Sequence, residues 1–140
     1  MIHQIDIQLK EQLVVEELTD FIQDERCGAN NVFIGKVRNH NNGEQVCKLT
    51  FEAYEPMAIK ELQKIAERTL SLFDVYKLSI HHALGEKTIG DLAVVIAVAT
   101  PHRKQGFEAC EYVIDELKKT VPIWKKEALQ NGHVWVSAHP

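Results

Sequence analysis

What this 140-residue sequence lacks narrows it first. Cysteine is scarce: Cys27, Cys47 and Cys110 are odd in number, far apart and outside any Cys-x-x-Cys arrangement, so they read as free, mostly buried thiols. A catalytic thiolate would need an activating partner that the sequence does not identify. There is no excess of positive charge, the formal net charge being -4, which argues against a dedicated nucleic-acid binder, whose role needs a broad basic face. Long apolar runs are missing too. The strongest, Leu92 to Ala99, falls far short of the roughly 20 residues of a membrane span. The N-terminus, interrupted by Asp6 and Lys10, does not read as a signal peptide, and a cytoplasmic location is expected. Glycines form no phosphate-loop or dinucleotide fingerprint, and histidines no His-Glu-x-x-His spacing. Neither a nucleotide cofactor nor a metal is expected.

What is present is an ordinary globular composition, 45% hydrophobic and 26% charged, without linker-like or low-complexity stretches. The length suits a single domain over residues 1–140. Ile5, Ile7 and Leu9 alternate as in a half-buried strand, and Leu13 to Ile22 carry helical spacing. A second strand, Ala29 to Val37, enters a polar loop at Asn39–Gly43 and reads as one arm of a β-hairpin whose other arm is Cys47 to Ala53. Pro56 opens a long helix with Ala58, Leu62, Ile65, Ala66, Thr69 and Phe73 on one face. Strands follow at Val75 to His82 and Leu92 to Ala99. The second is so continuously apolar that it reads as central, covered on both faces. A helix from Thr100 to about Thr120, a short helical turn at Pro122 to Leu129 and a strand around His133 to Val136 complete the chain. The class is α+β, a mixed, mainly antiparallel sheet packed with helices.

Cations stand where a local rule discourages them. Thr100 reads as an N-cap and Pro101 as the first helical residue, yet His102, Arg103 and Lys104 follow at the positive end of the helix dipole. A bound phosphate or carboxylate would resolve that conflict. On the helical wheel Phe107, Cys110, Ile114, Leu117 and Val121 form an apolar stripe with Lys118 on its edge, held against protein, while Lys119 points to the polar side. Such a lysine can simply snorkel to solvent. Its neighbours offer another reading, because Pro122 and Trp124 would fix the direction of Lys125, and two ordered lysines make an anion-binding, proton-transferring pair. Lys36, Arg38 and His40 form a third cluster at the end of the second strand. It reads either as a solvated strand end or, through Arg38, as a bidentate anion contact.

Four segments in this order resemble the catalytic large subunit of molybdopterin synthase: Phe33 to Asn39, Glu52 to Ala58, Ala97 to Arg103, and Leu117 to Glu127. The resemblance spans nearly the whole chain. It implies an α/β hammerhead-type fold and a homodimer of large subunits, with a small ubiquitin-like sulfur carrier at each end. It further implies that the carrier's C-terminal Gly-Gly thiocarboxylate enters a pocket where two sulfurs pass to cyclic pyranopterin monophosphate, forming the dithiolene of molybdopterin without a metal. By the same motifs Lys118 would lie beside the carrier's last glycine and Lys125 beside the reacting pterin, as the catalytic pair. Arg38, His102 and Arg103 would hold the anionic substrate and Phe33 would line the pocket. His139, standing where some relatives have Arg, joins the expected substrate contacts. Ala83 stands where relatives often carry another Arg.

Overall fold

The computed structural model describes residues 4–41, 44–129 and 132–137. The side chains of His40 and Cys47, and the whole of His139, lie outside the described residues. The elements are β1 (Ile5–Lys10), α1 (Val15–Phe21), β2 (Ala29–Lys36), β3 (His40–Asn41), β4 (Glu44–Ala53), α2 (Glu55–Leu72), β5 (Lys77–Ala83), β6 (Gly85–Thr88), β7 (Leu92–Thr100), α3 (Arg103–Thr120), β8 (Ile123–Leu129) and β9 (Gly132–Ser137).

The strands divide into two sheets. One has the order β1-β5-β7-β2; the other runs β3-β4-β8-β9 with β6 paired to β4. Among the described residues only β1 and β5 pair in parallel, every other ladder being antiparallel, so the α+β class with mainly antiparallel pairing is what the chain adopts. The central place of the Leu92 strand also holds. β7 lies between β5 and β2, and Val94 through Thr100 are buried along it. Val94, Ile96 and Val98 enter the main core with α2 and α3, while Val95, Ala97 and Ala99 pack with Leu18 and Ile22 of α1. Period-two alternation with both faces covered explains the unbroken apolar run.

Several expectations need correction. The hairpin between the second strand and Cys47–Ala53 does not form: β2 pairs with β7, and β4 meets only the two-residue β3 across the tip. Polar turn residues signalled a reversal but could not say which strand would receive β2, a non-local choice settled by burial. Ile123–Leu129 is strand rather than helical turn, pairing with β4 on one side and β9 on the other, so that Ile123, Lys125 and Glu127 share one face. The apolar stripe of α3 holds at Cys110, Ile114, Leu117 and Val121, which are buried or packed against the core, but it is rotated toward Gly106, Ala109 and Val113 and leaves Phe107 62% exposed.

Gly106 shows why α3 sits so close to the sheet. A Cβ there would fall 2.0 Å from Asn31 Oδ1 and 3.0 Å from Thr100 Oγ1, well inside van der Waals contact. Alanine in a helix interior ordinarily gains about 1 kcal/mol over glycine. Here the steric cost wins, and Gly106→Ala is expected to destabilise the protein by about 1–3 kcal/mol. Thermal or urea unfolding measures this, and an increase in stability would show that α3 does not rest on Asn31.

Candidate active site

The antiparallel return of α3 over β7 sets the geography of the basic residues. Ala29 pairs with Thr100 at one end of the β2–β7 ladder and Lys36 with Leu92 at the other. Since α3 starts just after Thr100 and doubles back, its first turn lies by the start of β2 and its last turn by the end of β2. Arg38 therefore emerges beside Lys118. The chain then turns at Val121 and Pro122 into β8, which carries Lys125 back to the same place.

Electrostatics record that convergence. Burial pushes the Lys125 ammonium below its ordinary pKa, and the charges of Lys118 and Arg38 push it further in the same direction, while Glu127 opposes them. Three cations drawn from a loop, a helix end and a strand thus share one field. Lys125 is half-buried, whereas Lys118 and Arg38 are exposed. The expectation that Lys118 is held against protein is corrected here, because the rotated stripe leaves it at the rim, free to reach an incoming group. Its position in the last turn, with Lys119, suits the negative end of the helix dipole. Lys119 instead pairs with Glu116 at 3.3 Å.

His102, Arg103 and Lys104 sit at the opposite end of α3. The N-cap is His102, not Thr100, and Arg103 is the first helical residue. Thr100 remains in β7, and its hydroxyl donates to the carbonyl of His102 at 2.7 Å, so it braces the turn without capping the helix. No acidic residue occupies the first turn, and the clash of cations with the dipole inferred from the sequence stands. At 1.5 Å per residue, Arg103 and Lys118 are about 22 Å apart along the axis. Within one chain, His102 and Arg103 do not join the Arg38–Lys118–Lys125 cluster.

Phe33 pairs with Ile96 and so lies on the α2/α3 side of β2, 37% exposed. Its neighbours Val32 and Ile34 are 38% and 41% exposed, which makes β2 an edge strand with apolar side chains open on both faces, not the buried strand its sequence implies. Neither described thiol is activated: burial pushes the Cys110 thiol up to about 11, and Cys27 is raised by burial as well. Ser79, His81 and Asp6 meet, but the Asp6 carboxylate accepts from both Ser79 Oγ (2.8 Å) and His81 Nε2 (2.7 Å). A nucleophilic triad requires the histidine to bond the serine, so this trio is a clasp between β1 and β5. Among the described residues no three His, Cys, Asp or Glu side chains gather as metal ligands would.

One charged residue with a place in this geometry went unassigned in the sequence. Glu127 is 4% exposed and lies on the same face of β8 as Lys125. Period-two alternation would have revealed it, had the segment been read as strand.

Fold and cluster together define an α+β protein in which a loop, a helix end and a strand bring Arg38, Lys118 and Lys125 into one electropositive cluster. The family model described as "MoaE protein" matches residues 8–120. The chain belongs to this family, that of the molybdopterin synthase catalytic subunits. It is 38% identical over 126 residues to the molybdopterin synthase catalytic subunit of Pyrococcus abyssi, covering 90% of this chain and 85% of the relative. With that of Bacillus subtilis it is 40% identical over 127 residues, 91% and 81% being covered. Among solved structures, molybdopterin synthase from Staphylococcus aureus superposes with a TM-score of 0.84 at 39% identity over 96% of each chain. A Helicobacter pylori complex of subunits 1 and 2 of molybdopterin-converting factor superposes with a TM-score of 0.74 at 28% identity, covering 97% of this chain and 93% of that one.

Proposed function

We propose that this chain, acting as a single domain in the cytoplasm, transfers sulfur from the C-terminal thiocarboxylate of a small ubiquitin-like carrier to cyclic pyranopterin monophosphate. The observation that carries the reading is the meeting of Arg38, Lys118 and Lys125 in one electrostatic field. A slender carrier tail ending in a thiocarboxylate is an anion that exposed Lys118 can meet at the rim. There the ammonium stabilises charge developing as the thioacid is attacked or hydrolysed. Lys125, half-buried and with a lowered pKa, is suited to shuttle protons as sulfur adds to the pterin and oxygen leaves. Arg38 binds the substrate phosphate. No helix among the described residues is long and apolar enough to cross a membrane.

A second copy of the chain completes the site in this reading. The exposed edge of β2, with Val32, Phe33 and Ile34, offers unpaired backbone groups and apolar surface together. Two such edges paired antiparallel about a two-fold axis set the start of one β2 against the end of the other. His102 and Arg103, which sit by the start, would then face Arg38 and Lys118 of the other copy. The 8 residues of β2 span about 26 Å at 3.3 Å each, comparable to the distance along α3 that must be bridged.

The test mixes this protein with a carrier ending in a Gly-Gly thiocarboxylate and with cyclic pyranopterin monophosphate, following products by mass spectrometry. Formation of the dithiolene with loss of carrier sulfur is expected. Binding of the carrier tail or the pterin without any product would assign the cluster to a non-catalytic anion-binding module.

A further inference from the structure

We infer that Glu127 is a positioning residue for Lys125, a buried carboxylate held on the same side of the small sheet to keep that lysine's ammonium oriented and charged among neighbouring cations. This rests on the proposed role of Lys125.

The sheet dictates the arrangement. Lys125 and Glu127 are two residues apart on β8, so both side chains leave the same face. Their β4 partners are Phe51 and Leu49, respectively, both buried. With these apolar partners, Glu127 lies in a setting where carboxylates are almost never found without a compensating charge or hydrogen bonds. Charged groups around Lys125 come from three elements: Glu127 on β8, Lys118 on α3 and Arg38 beyond β2. Across the other neighbour, β9, the register partners are Val136 and Val134. On the far side of β4, β6 presents Gly85 opposite Phe51 and Lys87 opposite Leu49. The Lys87 ammonium donates to the backbone carbonyl of Glu11. Glu127 is therefore the carboxylate whose charge acts on Lys125 against two cations.

The function of such an arrangement follows from the charges. Without substrate, Arg38 and Lys118 favour loss of the Lys125 proton, and burial does the same. Glu127 acts against both, favouring the charged form of Lys125 while no anionic substrate is there to do so. A buried carboxylate that merely filled space would exert no such control over the titration of Lys125.

Glu127→Gln preserves shape and hydrogen-bonding capacity but removes the charge. The limb of the pH–rate profile belonging to Lys125 is expected to move to lower pH by about one unit, whether the lysine acts as acid or as base, and Glu127→Asp, which draws the carboxylate back by one methylene, should move it the same way by a smaller amount. The same shift should appear without turnover, when the lysines are reductively methylated with a ¹³C label and the Lys125 resonance, assigned by its loss in Lys125→Arg, is titrated by NMR. That measurement stands even if the sulfur-transfer reading fails. An unmoved Lys125 midpoint in folded Glu127→Gln, or an equal midpoint in wild type and Glu127→Asp when Gln does not fold, combined with full activity of Glu127→Asp, would reduce Glu127 to a structural carboxylate.

Discussion

Lys118→Ala is expected to lower molybdopterin formation by at least about 100-fold, the scale on which loss of one preorganised charge-stabilising group acts on a transition state. Lys125→Ala should cost a comparable factor, and the two losses should not add, because both act on one reacting assembly. The structure separates these effects from folding. Lys118 is exposed at the end of α3, and truncating an exposed side chain ordinarily changes stability by no more than about 0.5 kcal/mol. Lys125 is half-buried, with desolvation and like-charge repulsion opposed by the charge of Glu127, so these effects offset and removing its ammonium should change stability little. Product yield against thermal midpoint, for both variants with thiocarboxylated carrier in excess, is the comparison to make. Turnover at the wild-type rate would remove these lysines from the chemistry. A collapse of the thermal midpoint would instead make them structural. Lys119→Ala provides the internal control: its ammonium is engaged with Glu116, and its activity should stay near that of the wild type.

The local layer of this fold was legible in the amino-acid order, and the long-range layer much less so. Period-two and period-3.6 patterns marked β1, β5, β7, α2 and the length of α3, because those elements bury one face or two against a core that repeats with the backbone geometry. Pairing partners were not legible. Nothing local in Ala29 to Lys36 says that it will dock on β7 rather than on the strand following its loop. The edge position of β2 also inverted an inference, since Val32, Phe33 and Ile34 look like core and are exposed. In β8 a short run with two lysines and a glutamate among apolar residues concealed a strand, because the buried face includes charge. The missed Glu127 and the misread helical turn have this single cause. β6, Gly85–Thr88, offers only four residues and escaped for want of length.

The candidate site divides along the same line. Arg38 stands out as a cation at a strand end, Lys118 as one on the edge of an apolar stripe and Lys125 as one fixed by Pro122 and Trp124, and the topology brings the three together. His102 and Arg103 drew attention for a sound reason, cations on the positive end of a helix, but the helix that begins with them carries Lys118 away to its other end. Periodicity describes the faces of a helix and is silent about which of its ends share a cavity. Phe107, one turn beyond Arg103, is 62% exposed because it lies off the Gly106, Ala109, Val113 and Leu117 face that α3 buries.

That separation yields an outcome no single-chain site can produce. Lys118→Ala and Arg103→Ala proteins should each be nearly inactive alone, yet a mixture allowed to exchange subunits should recover activity. If each pocket takes Lys118 from one chain and Arg103 from the other, half of an equimolar, freely exchanging population forms mixed dimers under random pairing. In every mixed dimer one pocket carries both defects and the other none. Activity should therefore rise from the background of the separate variants to about a quarter of the wild-type rate per total pocket. The gain should appear on the timescale of subunit exchange and should vanish when each variant is covalently cross-linked to its own copy before mixing. Substituting Ile34→Lys at the β2 edge, exposed enough to leave the monomer folded, should suppress the recovery by placing like charges on both sides of the two-fold contact. No recovery with exchange proven by mass spectrometry would mean that His102 and Arg103 act elsewhere. Recovery that survives the Ile34→Lys substitution would move the contact between copies away from β2, while leaving the shared pocket intact.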